Sequence, residues 1–66
     1  MAQVIWSNPG NPPKSVADRL HMDRRVFGKR LHKIKGAAKL SGPDRVIICD
    51  DGTVMNERGE PIGNLH

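Results

Sequence analysis

Tyrosine is absent from this chain of 66 residues, and Trp6 and Phe27 are its only aromatic side chains. Recognition of single strands by stacking bases on aromatic rings is therefore weakly supported, and a core has to be assembled from Val, Ile, Leu and Met. Cysteine occurs once, at Cys49. That excludes an intramolecular disulfide and an all-cysteine zinc site, and a lone Cys in an Ile-Ile-Cys run reads as a small apolar packing residue. No apolar run approaches the ~20 residues of a membrane span, and the opening Met-Ala-Gln-Val-Ile-Trp lacks the flank and stretch of a signal peptide. The expectation is a soluble chain with no export signal of its own and no membrane partner. His21, His32 and His66 have no His-x-x-x-His spacing, and Cys-x-x-Cys, the P-loop, Gly-x-Gly-x-x-Gly and Gly-x-Ser-x-Gly are all missing. No metal and no cofactor are expected.

What the chain has instead is an uneven distribution of charge. Residues 1–42 hold nine Lys and Arg against two acids, a formal +7, whereas residues 43–66 hold two against five, a formal −3. A basic first part can neutralise phosphates and release counterions, and an acidic second part repels a polyanion or acts chemically beside it. The length supports one domain of marginal stability, because ordering each residue costs roughly 1.5 kcal/mol and a small core offsets little of it.

Three prolines and a glycine in residues 7–14 forbid a continuous helix and predict an extended lead-in over 1–14. Ahead of them, Gln3 to Trp6 reads either as a short edge strand or as a tail pinned by Trp6. Ser15 as N-cap, with Val16, Ala17 and Leu20 at helical spacing, predicts a helix over about 15–21. Asp23 is a second N-cap, and Phe27, Leu31 and Ile34 carry a helix over about 23–35 that stops at Gly36. Gly28 inside it weakens the helix and leaves space for another backbone or for a phosphate.

The pattern then turns to β-branched residues, with strands over about 45–49, 53–56 and 60–64. Asp51-Gly52 reads as a two-residue hairpin turn, which sets Ile48 opposite Met55. A second reversal around residues 57–60 sets Met55 opposite Ile62, and Pro61 suits an edge strand. The expected fold class is α+β: a single domain over 15–66 with two N-terminal helices packed on a three-stranded antiparallel β-meander, Phe27, Leu31 and Ile34 lying on the row Ile48, Met55 and Ile62.

Opposite the apolar stripe of the second helix, Arg25, Lys29, His32 and Lys33 recur at i, i+4, i+7 and i+8, with Arg24, Arg30 and Lys35 at the margins. Such a row either keeps a helix in solvent or meets an external anion. Asp23 is the only acid between Arg19 and Gly42, so intrahelical pairs do not neutralise it. Arg24, Arg25, Lys29, Lys33 and Lys35 are the candidate nucleic-acid-binding residues. Metal-free RNA cleavage needs a base, an acid and a cation near the phosphorane, and His32, Lys33, Asp51, Glu57 and Arg58 supply those types. Residues 15–31 also read as a helix-turn-helix, with His21 where the motif commonly has glycine at its turn.

The order of a short helix, a basic helix ending His32-Lys33-Ile34-Lys35, then Asp44-Arg45-Val46-Ile47-Ile48, Asp51-Gly52-Thr53-Val54 and Gly59-Glu60-Pro61-Ile62-Gly63-Asn64-Leu65 resembles the C-terminal toxin modules of bacterial polymorphic and contact-dependent toxins. Its strand portion is similar to colicin-type ribonuclease domains. The resemblance implies a helix on a twisted antiparallel sheet, metal-independent cleavage of tRNA or rRNA in the cytoplasm, and neutralisation by an acidic immunity protein. His32 and Lys33 are the first positions it carries over, with Asp51, Glu57 and Arg58 as companions. Colicin-type domains are longer and richer in His, Glu, Arg and Tyr. An RNA-targeting, ribonuclease-type toxin module is the expectation; a helix-turn-helix DNA-binding module, dimerising through a sheet edge, and an interaction module for an acidic protein are the alternatives.

Overall fold

The computed structural model describes residues 2–66 and sets six elements in the order β1 (Val4–Pro9), α1 (Ser15–Arg19), α2 (Arg24–Ala37), β2 (Arg45–Cys49), β3 (Thr53–Asn56) and β4 (Pro61–Asn64). The class is α+β, but the expected arrangement of two helices on three strands is not what forms. Among the described residues the sheet has four antiparallel strands in the order β1-β2-β3-β4, and α1 spans only five residues, leaving α2 as the one long helix there. The fourth strand comes from the lead-in. Its pairs with β2, such as Trp6 with Ile48 and Asn8 with Val46, join residues about 40 apart, and no local pattern announces a pairing of that range. Pro9 sits at the last position of this edge strand, where a missing amide hydrogen does least harm.

Both helices end in the same way. After α1, the Met22 amide donates to the Ala17 carbonyl at 3.0 Å and the His21 amide to Asp18 at 3.1 Å, with His21 left-handed at φ 55°. After α2, the Leu40 amide donates to Lys35 at 2.8 Å and the Lys39 amide to Gly36 at 3.1 Å, with Lys39 left-handed at φ 59°. These are Schellman motifs built on non-glycine residues. Gly36 does not stop α2, which runs on to Ala37. At the N-termini, Asp23 accepts hydrogen bonds from the Arg25 and Val26 amides, as an N-cap does. Ser15 does not cap α1: Lys14 holds that position and its side chain makes no capping bond.

The hairpin register is also corrected. Ile48 pairs with Val54, and Ile47 with Met55, so the loop has three residues, Asp50–Gly52, closed by the Gly52 amide on the Cys49 carbonyl at 3.0 Å with Gly52 at φ 91°. A one-residue slip turns every side chain over. Val46, Ile48 and Val54 therefore face the core, while Ile47 and Met55 are half-buried on the opposite side. Across the second turn Met55 pairs with Pro61 and Val54 with Gly63, Ile62 being the extra residue of a bulge. The expected row of Ile48, Met55 and Ile62 does not exist. Phe27 and Leu31 join Val16, Ala17, Leu20, Val46, Ile48, Val54 and Leu65 in one buried cluster, with Trp6 and Ile34 packed against it. Ile34 lies over Gly63, where a Cβ would come within 2.7 Å of its Cγ1.

Candidate nucleic-acid interface

The fold fixes α2 by its buried face and thereby turns Arg25, Lys29, His32 and Lys33 outward, all four exposed. At 1.5 Å per residue the row runs for about 12 Å. Among the described residues the ion pairs are Arg24 with Asp18 at 2.6 Å and Arg58 with Glu60 at 3.9 Å. Asp50, Asp51 and Glu57 thus leave the row unneutralised.

The other expected contacts are committed elsewhere. Arg24 donates to both oxygens of Asp18, from Nε at 3.2 Å and from Nη2 at 2.6 Å, and that hydrogen bonding holds the Asp18 carboxyl below its ordinary range. Arg30, at the margin, donates from Nη1 to the Leu65 carbonyl at 2.6 Å. Lys35 is inside the fold, 6% exposed, with its ammonium at 3.2 Å from the Gly42 carbonyl and 3.4 Å from Asn11 Oδ1. Its place at the third position from the end of α2 aims it under the loop instead of along the cation row. Arg25, Lys29 and Lys33 remain available from the expected binding set, with His32 among them.

The candidate catalytic residues come from three separate elements. His32 and Lys33 are on α2, Asp51 is in the β2–β3 turn, and Glu57 and Arg58 are in the β3–β4 turn. The two turns stand at opposite ends of β3, whose four residues span about 13 Å. The Asp51 carboxylate accepts from the Thr53 amide at 2.9 Å, a bond that lowers its pKa, with His66 adding a smaller pull. Arg58 leans on Glu60, and its amide is held by Asn56 Oδ1 at 3.0 Å. Cys49 is buried, which raises its thiol pKa and leaves it a packing residue. Among the described residues no three His, Cys, Asp or Glu side chains gather closely enough to hold a metal ion, and no helix is long and apolar enough to cross a membrane.

Lys14 is a residue that the sequence alone did not single out. It stands just before α1, and its Nζ lies 3.1 Å from where a Cβ on Gly28 would be. Among the described residues no backbone atom from outside the helix comes within 4 Å of that point, so the helical glycine accommodates an ammonium group. The signal in the sequence was Gly28 itself, with His32 and Lys35 following at i+4 and i+7 on one helix face. No family model, curated protein or solved structure matches this chain.

Proposed function

We propose that the chain is a small RNA-binding module of the toxin type, in which Arg25, Lys29, His32 and Lys33 grip the phosphate backbone. One observation carries the reading: these four side chains lie exposed in a single line along α2, with no carboxylate in ion-pairing distance among the described residues. Backbone neutralisation needs no aromatic platform, which suits a chain with two aromatic residues. RNA is favoured over DNA because duplex DNA is read by the N-terminal residues of a recognition helix, and there Arg24 is taken by Asp18. The dispersal of Asp51, Glu57 and Arg58 favours binding over cleavage as the activity of the chain by itself. An acidic inhibitor protein would cover the same row.

A helix-turn-helix reading has one observation in its favour, the left-handed His21 between α1 and α2. The deciding experiment is fluorescence anisotropy of a single-stranded RNA against salt. Three fixed cations, Arg25, Lys29 and Lys33, give a slope of log K on log salt of about −2, at roughly −0.7 per phosphate on a single strand. Lys29→Ala should lower its magnitude by about 0.7. Salt-independent binding, or tighter binding of duplex DNA, overturns the proposal. Incubation with tRNA and rRNA in EDTA, beside His32→Ala, separates cleavage from binding alone.

A further inference from the structure

Between α2 and the loops on either side of it lies a cleft of about 570 Å³. Phe27 and Leu31 form its apolar floor, and Lys14, His32 and Lys35 supply its basic groups; among the described residues no Asp or Glu lines it. The geometry points to a binding site for a phosphate monoester, carried by a mononucleotide or by the end of an RNA strand.

Lys35 is the first reason. An ammonium has three hydrogens, and here a carbonyl and an amide oxygen accept at 3.2 and 3.4 Å, long beside the 2.7–2.9 Å of charge-assisted bonds to anions. Among the described residues no carboxylate comes within ion-pairing distance of it. A buried cation left unpaired is costly, and an anion in the cleft would supply the missing charge. The second reason is the opening itself. Gly28 and Gly36 remove two side chains from this face of α2; a Cβ at Gly36 would meet nothing within 4 Å, and the Lys14 ammonium stands above Gly28. Two ammonium groups on one cleft match a monoester, which carries about −1.5 to −2 at pH 7. An internal diester carries a single charge and is served by the exposed row. The apolar floor takes the sugar and base, and a volume of this size is that of small-ligand sites.

The test is a titration of the 15N-labelled full chain, followed by amide chemical shifts, with adenosine 5′-monophosphate and with adenosine. The monophosphate should move the amides of Gly28, Gly36 and Gly42, and adenosine should not. Lys14→Ala, at an exposed position, should weaken the monophosphate about five- to tenfold, while Lys29→Ala on the outer row should change it less than twofold. Lys35→Met should abolish binding if its spectrum remains that of a folded chain; if it does not, Lys14→Ala decides. No movement with the monophosphate, equal movement with adenosine, or indifference to Lys14→Ala overturns the inference. Only the strand-end source rests on the RNA reading. A 5′-phosphorylated RNA that binds more tightly than its 5′-hydroxyl twin identifies the strand end, and equal binding of the two beside a bound monophosphate identifies the free nucleotide. Loss of RNA binding with the monophosphate shifts intact sinks the RNA reading and leaves the cleft.

Discussion

Lys39 holds a backbone conformation that glycine would take without strain. At φ 59° its Cβ crowds the following carbonyl, a cost of roughly 1–2 kcal/mol for an L-residue, whereas glycine gives back about 0.4–1 kcal/mol through the freer unfolded chain. Lys39→Gly is therefore expected to stabilise the fold by about 0.5–1 kcal/mol, read as a higher urea midpoint with an unchanged slope. Lys39→Ala, which also removes the charge but keeps the Cβ, should give no such gain; equal gains from both would assign the effect to charge. The same reasoning applies to His21, where the sequence did mark a residue standing in for glycine. Lys39 was not legible, because Gly36 three residues earlier is the more obvious stop. A glycine can stay helical when the capping bonds form beyond it, as the Lys39 and Leu40 amides do.

At the scale of elements, the sheet is tied to α2 through a position that has no side chain. Gly63 pairs with Val54 in the middle of the last hairpin, and Ile34 fills the space above it. A Cβ there would stand 2.7 to 2.9 Å from three carbons of Ile34, which is branched and cannot fold out of the way. Gly63→Ala is expected to cost about 1–3 kcal/mol by overpacking, and Ile34→Ala, which removes all three of those carbons, should cost less in the Gly63→Ala chain than in the native one; the double-mutant cycle by urea unfolding measures the coupling. Additive effects would mean that α2 does not close on β4 in this way. Turn residues and helix stripes were legible because local chemistry dictates them: Asp23 caps α2, and Gly52 closes the hairpin. Register was not. Asp50-Asp51-Gly52 serves a two-residue or a three-residue loop equally well in sequence, and the choice falls to which side chains the helices can cover. Val46, Ile48 and Val54 are entirely buried under them. The cation row was legible as far as periodicity reaches, through Lys33; Lys35 departs from it because its stem turns under the loop that holds Asn11 and Gly42.

For the molecule as a whole, charge and connectivity set two measurable behaviours. Asp18 and Asp51 have lowered pKa values in the folded chain, the first through Arg24 and the second through the Thr53 amide. A carboxyl lowered on folding adds stability above its unfolded pKa, about 3.9 for Asp, and loses it as pH falls through the folded value. The urea midpoint should therefore hold between pH 7 and 5 and fall below about pH 4. Asp18→Asn should flatten that fall, and an unchanged acid limb would show that the Arg24 pair has no part in it. Growing positive charge reinforces the fall, since the chain begins at a formal +4. The second behaviour concerns β1, which the eye sees as a detachable edge. It carries Trp6, the only tryptophan, packed against the same buried cluster that holds Leu20, Phe27 and Leu65. Its two ends are fastened as well: the Gln3 amide donates to Asp50 Oδ1 at 3.0 Å, the Asp50 amide returns to the Gln3 carbonyl at 2.8 Å, and Arg45 donates to the Ser7 carbonyl at 3.3 Å. A strand bound at both ends and through its centre has no small subset of contacts to give up first. Trp6 fluorescence and the helical circular dichroism of α2 should consequently trace one transition in urea, with a common midpoint and a slope of about 1 kcal/mol per molar. An earlier fluorescence transition would make β1 an independent arm, and the one core that joins helices, sheet and lead-in would have to be redrawn as two.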